Sequence, residues 1–555
     1  MREVLSPRPT TLERTGRFLD SVISAVAPLR GLRRKQARAA GTMLGSYKGA
    51  LRDRLRRDWV PMGGSADADL LPDLPLLRER SRDLGRNDAH AAGITSTVVM
   101  HTIGSGIYPQ SRVDYDALNM SQESVLDFQK AAERNFQNWS GSADSQGRMD
   151  FYEMQGLVER QILDNGEVLL IPLMLEREPQ RPYSLALEVI EADRLETPSH
   201  LRSRGDIRDG VQLGPRGQPI AYYIRRAHPG DEMSSPSSSA RSKDGWIRYP
   251  AYNEFGRPNV MHLYWVKRPG QTRGEPFFAP VINLFKDLAD YMEAELVSAR
   301  VAACFSAFVT KNDPYNSAVN AATTVNDTGQ RVQEMEPGVI EYLAPGEAIS
   351  FGSPSRPGGT FEPFVERILR AIGVGLALPY EIIAKDFSKT NYSSARSAIL
   401  EAWMFFKMRQ EWMIRRLCDP VWQMVQEEAW LDGDLPLVDL IGPDRPSWMR
   451  TRWIAPGKGW IDPVKEVQAS QLAIETGIST LADEAAANGK DWEEVLEQQK
   501  RELTKRLELG LPPPEAMQPF LPNAPGTDDT IKPRIGGSKK DVGDTGTPFA
   551  SGRHE

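Results

Sequence analysis

The sequence predicts an α+β protein, mainly helical, with one small β-rich sub-domain. Two long stretches, 280–308 and 393–430, repeat apolar residues at helical spacing. Between residues 166 and 266 the pattern changes to short apolar runs bounded by Gly, Pro and Asp, which read as strands. The chain has 555 residues, and single cores stop growing near ~250–300, so several sub-domains are required.

Taken in order, residues 1–60 form a basic arm, with 14 Arg/Lys against 5 Asp/Glu. A Gly/Asp/Pro-rich linker leads to a helix over 74–103, where Arg78, Arg80, Arg82 and Arg86 interleave with Leu77, Leu84 and Ala89. Gly104-Ser105-Gly106 stops it. Ser121 stands where an N-cap belongs for a helix over 122–139. Strands follow at 168–171, 185–190 and 220–224, then a Ser/Gly loop over 230–245 and a strand at 260–266.

The 280–308 helix repeats Val281, Leu284, Leu288, Met292 and Leu296, while Ala294, Ser298 and Ala302 keep its other faces slim enough to pack beside copies of itself. A Pro/Gly-rich, partly extended segment, 310–359, leads to a helix over 361–376, ended by Ala377-Leu378-Pro379. A Lys/Ser/Asn-rich loop spans 384–394. The 393–430 helix would be roughly 55 Å long, bent at Pro420. An acidic helical segment occupies 462–509, and the Pro/Gly/Thr/Asp content from 512 onward reads as a disordered tail.

Composition excludes several classes. Apolar residues make up 40% and charged residues 26%, the balance of a folded chain. Cys304 and Cys418 alone offer no disulfide framework or Cys-rich zinc site and read as buried thiols. The longest apolar stretch, 93–107, is interrupted and shorter than the ~18 residues of a membrane span, so no membrane partner is expected. Net charge is −7, and outside the basic arm about −16, so overall attraction cannot hold a nucleic acid. The arm itself, amphipathic over 11–27 and then Arg-rich, suits a scaffold, capsid or nucleic-acid surface; a transit peptide or a solvated helix face are the alternatives.

No GxxxxGK[ST] phosphate loop is present, so the chain has no recognisable means of hydrolysing ATP, and neither HExxH nor GxSxG occurs. The six histidines are scattered, His90 and His101 being the nearest pair. Asp544-Thr545-Gly546 lacks the apolar strands an aspartic protease needs. Gly457-Lys458-Gly459 could approach a phosphate, but a turn explains it equally well. No enzyme, cofactor or metal is predicted.

Several blocks together resemble the lambda-family portal proteins of tailed bacteriophages, over about residues 44–503. They are Leu77-Arg78-Glu79-Arg80-Ser81-Arg82-Asp83-Leu84 with Arg86-Asn87, Gly104-Ser105-Gly106-Ile107, Gly166-Glu167-Val168, Glu188-Val189-Ile190-Glu191-Ala192-Asp193-Arg194-Leu195, and His262-Leu263-Tyr264 with Arg268-Pro269-Gly270-Gln271-Thr272-Arg273-Gly274. Leu378-Pro379-Tyr380-Glu381, Asn391-Tyr392-Ser393-Ser394-Ala395-Arg396 and Gly457-Lys458-Gly459-Trp460-Ile461-Asp462-Pro463 complete the set. The resemblance implies a portal fold: wing over 61–279, first stem helix 280–308, clip 309–360, second stem helix 361–377, channel loop 378–394, long wing helix and following segment 395–460, crown 461–510 and tail 511–555.

The same resemblance implies a ring, usually of twelve subunits, at one vertex of the virion, assembled in the host cytoplasm. The ring would pass double-stranded DNA without reading its sequence. Its other partners would be the terminase large subunit, the major capsid protein and scaffold, and a head-tail adaptor. Lys385, Ser388, Lys389, Thr390 and Asn391 are the candidate DNA-facing residues, with Asp386 offsetting part of their charge; the alternative is a surface loop in which Asn391 and Ser393 merely cap the next helix. Asp313, Pro314 and Tyr315 are candidates for motor docking. The rival functions are a head-assembly or connector protein that encloses no DNA, and a metal-dependent nuclease.

Overall fold

The structure is a computed structural model that describes residues 58–61, 63–231, 245–303, 361–436, 438–459 and 463–511, with the backbone of four short strands between 307 and 351. Most of the basic arm, the Ser-rich loop, Cys304 and the C-terminal tail lie outside the described residues. Helix α1 (Ala66–Leu70) is capped by the Ser65 hydroxyl, which accepts from the Ala68 amide. Periodicity predicts one helix over 74–103; the structure has two, α2 (Leu74–Asn87) and α3 (Ala89–Thr102). Asp88 divides them, because its backbone is extended and its Oδ1 accepts from the Ala91 amide at 2.8 Å, starting a new helix.

Strand β1 (Tyr108–Ser111) precedes α4 (Gln122–Ser140) and α5 (Phe151–Asn165). Ser121 occupies the N-cap position of α4, but its side chain makes no capping bond. Its carbonyl instead accepts from the Ser124 hydroxyl at 2.6 Å. Helix α5 opens with a reciprocal box: Glu153 N donates to Asp150 Oδ1 at 2.7 Å, and Asp150 N donates to Glu153 Oε2 at 3.0 Å. It ends at Gly166, φ 86°, where the left-handed turn needs glycine.

The β-rich part holds β2 (Glu167–Met174), β3 (Leu185–Glu191), β4 (Ile207–Arg208), β5 (Val211–Leu213), β6 (Pro219–Arg225), β7 (Trp246–Pro250) and β8 (Met261–Tyr264). Two antiparallel sheets result, in orders β3-β2-β8 and β4-β5-β6-β7. Side chains alternate across β2. Val168 and Leu170 enter a first core with Phe128, Phe136, Trp139, Phe151, Trp422 and Trp453. Leu169 and Ile171 enter a smaller core with Ile190 of β3 and with Val211, Tyr222 and Ile224 of the second sheet.

Helix α6 (Ile282–Ala303) is followed by β9 (Ala307–Lys311), β10 (Thr324–Val325), β11 (Arg331–Val332) and β12 (Glu347–Phe351), paired β9-β12 and β10-β11. The chain continues through α7 (Phe361–Leu376), α8 (Tyr380–Ala384) and α9 (Tyr392–Met413), then a π-helical turn, Ile414–Cys418, and α10 (Asp419–Asp432). From Tyr392 to Asp432 the helix is unbroken, and the wide turn sits directly before Pro420, which has no N–H to donate to the preceding turn. After α11 (Arg445–Trp448), β13 (Thr451–Ile454) pairs antiparallel with β1. Helices α12 (Pro463–Glu475), α13 (Leu481–Ala487) and α14 (Trp492–Glu508) complete the described chain. Cys418 is buried, and burial pushes its thiol far above the usual range, so it is inert.

A third core gathers Ile94 and Val98 of α3, Phe285 and Leu288 of α6, Leu369 and Ile372 of α7, and Ala402 and Phe406 of α9. Only the first half of α6 is rooted there. Beyond it Met292, Leu296 and Val297 are 41%, 52% and 50% exposed, and Tyr291 packs against Phe361 and Phe364 of α7. Through these rings the outer halves of the two helices pack on each other.

Four of the blocks that carry the family resemblance, those holding Arg78, Glu167, Ala192 with Leu195, and His262 with Arg273, converge on one carboxylate. Glu167, fully buried, accepts from Arg78 Nη2 and Arg273 Nε at 2.6 Å each, and from His262 Nε2 and the Gly274 amide at 3.0 and 2.6 Å. Arg273 donates onward to the carbonyls of Ala192 and Leu195, both at 2.9 Å, and Arg78 to the Asn165 carbonyl at 3.0 Å. Burial alone would raise the carboxyl, yet Arg273, Arg78 and His262 hold it well below the usual carboxylate range. Its contribution is therefore complete above the unfolded pKa of about 4.3 and is lost as pH falls through the depressed folded value.

Glu167→Gln keeps the shape but leaves buried Arg78 without its carboxylate and Arg273 with Asp209 alone; it is expected to cost roughly 3–5 kcal/mol in chemical denaturation, and a loss below about 1 kcal/mol would show that the carboxylate is not the anchor.

Candidate functional site

The segment predicted as a polar loop contains structure of its own. Ala377, at φ 56°, ends α7; Pro379 opens α8; and Lys385, at φ 53°, ends α8. The conformation at Ala377 and Lys385 costs a residue with a Cβ about 1–2 kcal/mol, so two tight corners hold a single helical turn between α7 and α9. Five of the residues taken as loop, Tyr380–Ala384, are helical because Pro379 fits at a helix start and the Ile382 and Ile383 amides close onto its carbonyl.

Beyond Lys385 the chain turns on itself. Ser388 N donates to Asp386 Oδ1 at 2.9 Å and Thr390 Oγ1 to the Phe387 carbonyl at 3.0 Å. The Ser388 hydrogen bonds hold the Asp386 carboxyl below its ordinary value. Asn391 caps α9, its Oδ1 accepting from Ser394 N at 2.8 Å. Ser393 makes no cap; its carbonyl accepts from the Ser397 hydroxyl.

Lys389 reaches back to α7, with Nζ 2.6 Å from Glu362 Oε1 and 3.5 Å from Glu366 Oε2. The Glu362 hydrogen bond raises the Lys389 ammonium above its usual value, so the charge stays but is balanced. Lys385 is exposed near His101, which burial and the lysine both keep uncharged more readily than a free imidazole. The five predicted residues lie on one short segment, Thr390 half-buried and the others exposed, with Phe387 and Tyr392 exposed among them at 41% and 54%. Glu362 and Glu366 were not predicted; nothing in a sequence separation of 27 and 23 residues signals the pairing. Asp313, Pro314 and Tyr315 lie outside the described residues.

Among the described residues one group, Glu191, Asp193 and His228, brings three possible metal-ligand atoms within 4.8 Å of one another. The Gly230 amide donates to His228 Nδ1 at 3.0 Å, which places the ring proton on Nε2, the atom 3.4 Å from Glu191 Oε2. Asp193 is also paired with Arg82 at 2.8 Å. A neutral imidazole in that tautomer has no lone pair for a cation, so these residues do not fit a nuclease metal site. No described helix is long and apolar enough to cross a membrane.

The glycines of the other blocks serve close packing. A Cβ on Gly166 would meet the Glu275 carbonyl carbon at 2.4 Å, and one on Gly457 would meet the Ala487 carbonyl oxygen at 2.5 Å. Gly457-Lys458-Gly459 is therefore explained, at its first glycine, by the approach of α13 rather than by a phosphate.

The chain is similar over most of its length to curated phage proteins. It is 26% identical over 485 residues to the portal protein of Escherichia phage N15, and 25% identical over 485 residues to portal protein B of Escherichia phage lambda. Each match covers 82% of this chain and 89% of the relative. It is 27% identical over 489 residues to the probable portal protein of Halomonas phage phiHAP-1, covering 86% and 90%. Among solved structures it resembles a chain in the virion of a native gene transfer agent particle, at 14% identity and a TM-score of 0.39, covering 80% of this chain and 94% of that one. A chain in the neck of a native gene transfer agent particle with C12 symmetry matches at 15% identity and a TM-score of 0.37, covering 78% and 94%. The family described as "Phage portal protein, lambda family" matches residues 52–410, and the chain belongs to that family.

Proposed function

We propose that the protein forms a ring, of about twelve subunits by family analogy, that occupies one vertex of the virion and conducts double-stranded DNA during packaging and ejection. The observation that carries this reading, alongside family membership, is the α6–α7 pair. Its root is buried in a core while its outer half presents Met292, Leu296, Val297 and Phe364 to the outside. A neighbour in the same orientation covers such side chains, and a head-to-tail contact that closes on itself makes a ring.

The charge pattern suits a passive conduit. Duplex DNA carries a negative charge about every 1.7 Å, so a strongly basic bore would hold it. Helix α6 carries Asp287, Asp290, Glu293 and Glu295 against Lys286 and Arg300. Lys389 is balanced by Glu362, and the side-chain oxygen of Asn391 is committed to its cap. Lys385, Ser388, Lys389, Thr390 and Asn391 then touch the DNA backbone at the constriction without reading bases. The motor is a separate protein, a terminase large subunit, engaged through the 309–360 segment. The head-tail adaptor replaces it after packaging, and the wing meets the major capsid protein and scaffold during assembly in the host cytoplasm. The virion setting is supported by the relatives being phage portal proteins.

Negative-stain images of the purified protein should show a rotationally symmetric ring with a hole wide enough for duplex DNA; a closed disc or a monomer would refute the reading. A Lys385→Ala/Lys389→Ala variant should still assemble but lose severalfold in packaged DNA length or in its retention, and normal values for both would remove these residues from the channel. Altering Asp313, Pro314 and Tyr315 together should leave rings intact and abolish motor engagement; loss of rings with motor binding preserved in isolated subunits would contradict the docking assignment.

A further inference from the structure

The C-terminal helices meet the rest of the chain through charge rather than apolar packing. None of α12, α13 and α14 buries a residue. They are joined to the body by Gln110 Nε2 donating to Asp491 Oδ1 at 2.7 Å, by Arg452 with Asp483 at 3.0 Å, and by Arg112, 4.0 Å from Glu493 and 5.8 Å from the Trp492 ring centre.

Glu133 of α4 lies in the middle of this junction, half-buried, its Oε1 accepting from the Ser111 amide at 2.7 Å. The groups that face it are mostly of its own sign. Helix α14 offers Asp491, Glu493 and Glu494, with Glu497 acting on Glu493. The cations are Arg112 after β1 and Lys130 on α4, both acting on Glu493; Arg452 of β13 is engaged by Asp483. Helix α10 packs on the other flank of α4, where Gln426 donates to the Ala132 carbonyl.

We propose that this junction is a pH-responsive latch: protonated Glu133 lets α14 sit on β1 and α4, and its ionisation against Asp491, Glu493 and Glu494 releases the C-terminal helices from the body. Burial pushes the Glu133 carboxyl up to about 7. The Ser111 amide opposes the rise, and the three α14 carboxylates add to it. In the released state the group returns to an ordinary value of about 4.3. Docking is therefore full at low pH, weakens about tenfold per pH unit as pH rises toward 7, and is level above that.

Hydrogen–deuterium exchange of the full-length protein, corrected for intrinsic rates, reads this directly at Ser111 and over 491–497. Protection should fall by about 15-fold between about pH 5.5 and 7 and level off within a further pH unit, and Glu133→Gln should remove most of that fall, leaving the smaller part due to Glu493, whose carboxyl burial also raises. Flat protection in the unaltered chain, or a fall of undiminished size in Glu133→Gln, overturns the proposal. Glu493→Gln/Glu494→Gln leaves α4 untouched and should shift the fall to lower pH; an unchanged curve in that variant also overturns it.

Discussion

A single buried carboxylate shared by two guanidinium groups is the constraint from which the middle of this fold follows. A charge taken out of water is tolerable only when paired and fully hydrogen-bonded, and Glu167 meets that demand with Arg78, Arg273, His262 and the Gly274 amide. Those groups come from α2, β8 and the segment after β8. Satisfying them fixes the first residue of β2, and so decides which of its side chains face the aromatic core and which the smaller one. The crossing has no room for a side chain: a Cβ on Gly274 would fall 2.1 Å from the Gly166 carbonyl oxygen. The glycines and the charges at this point form one requirement.

A second buried pair ties the long helix into the same body. Arg409 of α9 donates to Glu159 of α5 at 2.5 Å, and its guanidinium lies within 6 Å of the ring centres of Trp265, Phe277 and Phe405. Other described pairs are partly buried, as at Arg208 with Asp67 and Arg82 with Asp193, and those at the surface, such as Lys389 with Glu362 and Arg452 with Asp483, are screened and individually weak. The molecule therefore has a middle locked by desolvated charge and a periphery held by charge that solvent conditions can loosen.

The sequence made some of this readable, and physics explains which parts. Periodicity located α6, α7 and the long helix because each repeats apolar residues at helical spacing, on a face that is buried over at least part of its length. It missed the break at Asp88, since a local side-chain cap outweighs a pattern that continues across it. It also missed β1 and β13, whose partners lie more than 300 residues apart and whose residues, Pro109 and Arg452 among them, alternate poorly. Arg78, Glu167 and Arg273 stood out as members of recurring blocks, but their common purpose did not, because a contact across 89 or 106 positions leaves no local trace. At the candidate channel segment the residue types were legible and the balancing of Lys389 by α7 was not.

The unbroken helix from Tyr392 to Asp432 passes through two cores. Ala402 and Phe406 pack with the root of α6 and α7, while Leu417, Val421 and Trp422 pack in the aromatic core. The π turn, Ile414–Cys418, which itself holds Leu417, adds a residue to one coil and so shifts the phase of the apolar residues after it, Val421 and Trp422 among them. One backbone helix therefore carries side chains of both cores, so the root of α6 and α7 is joined to Trp422 with no loop between them.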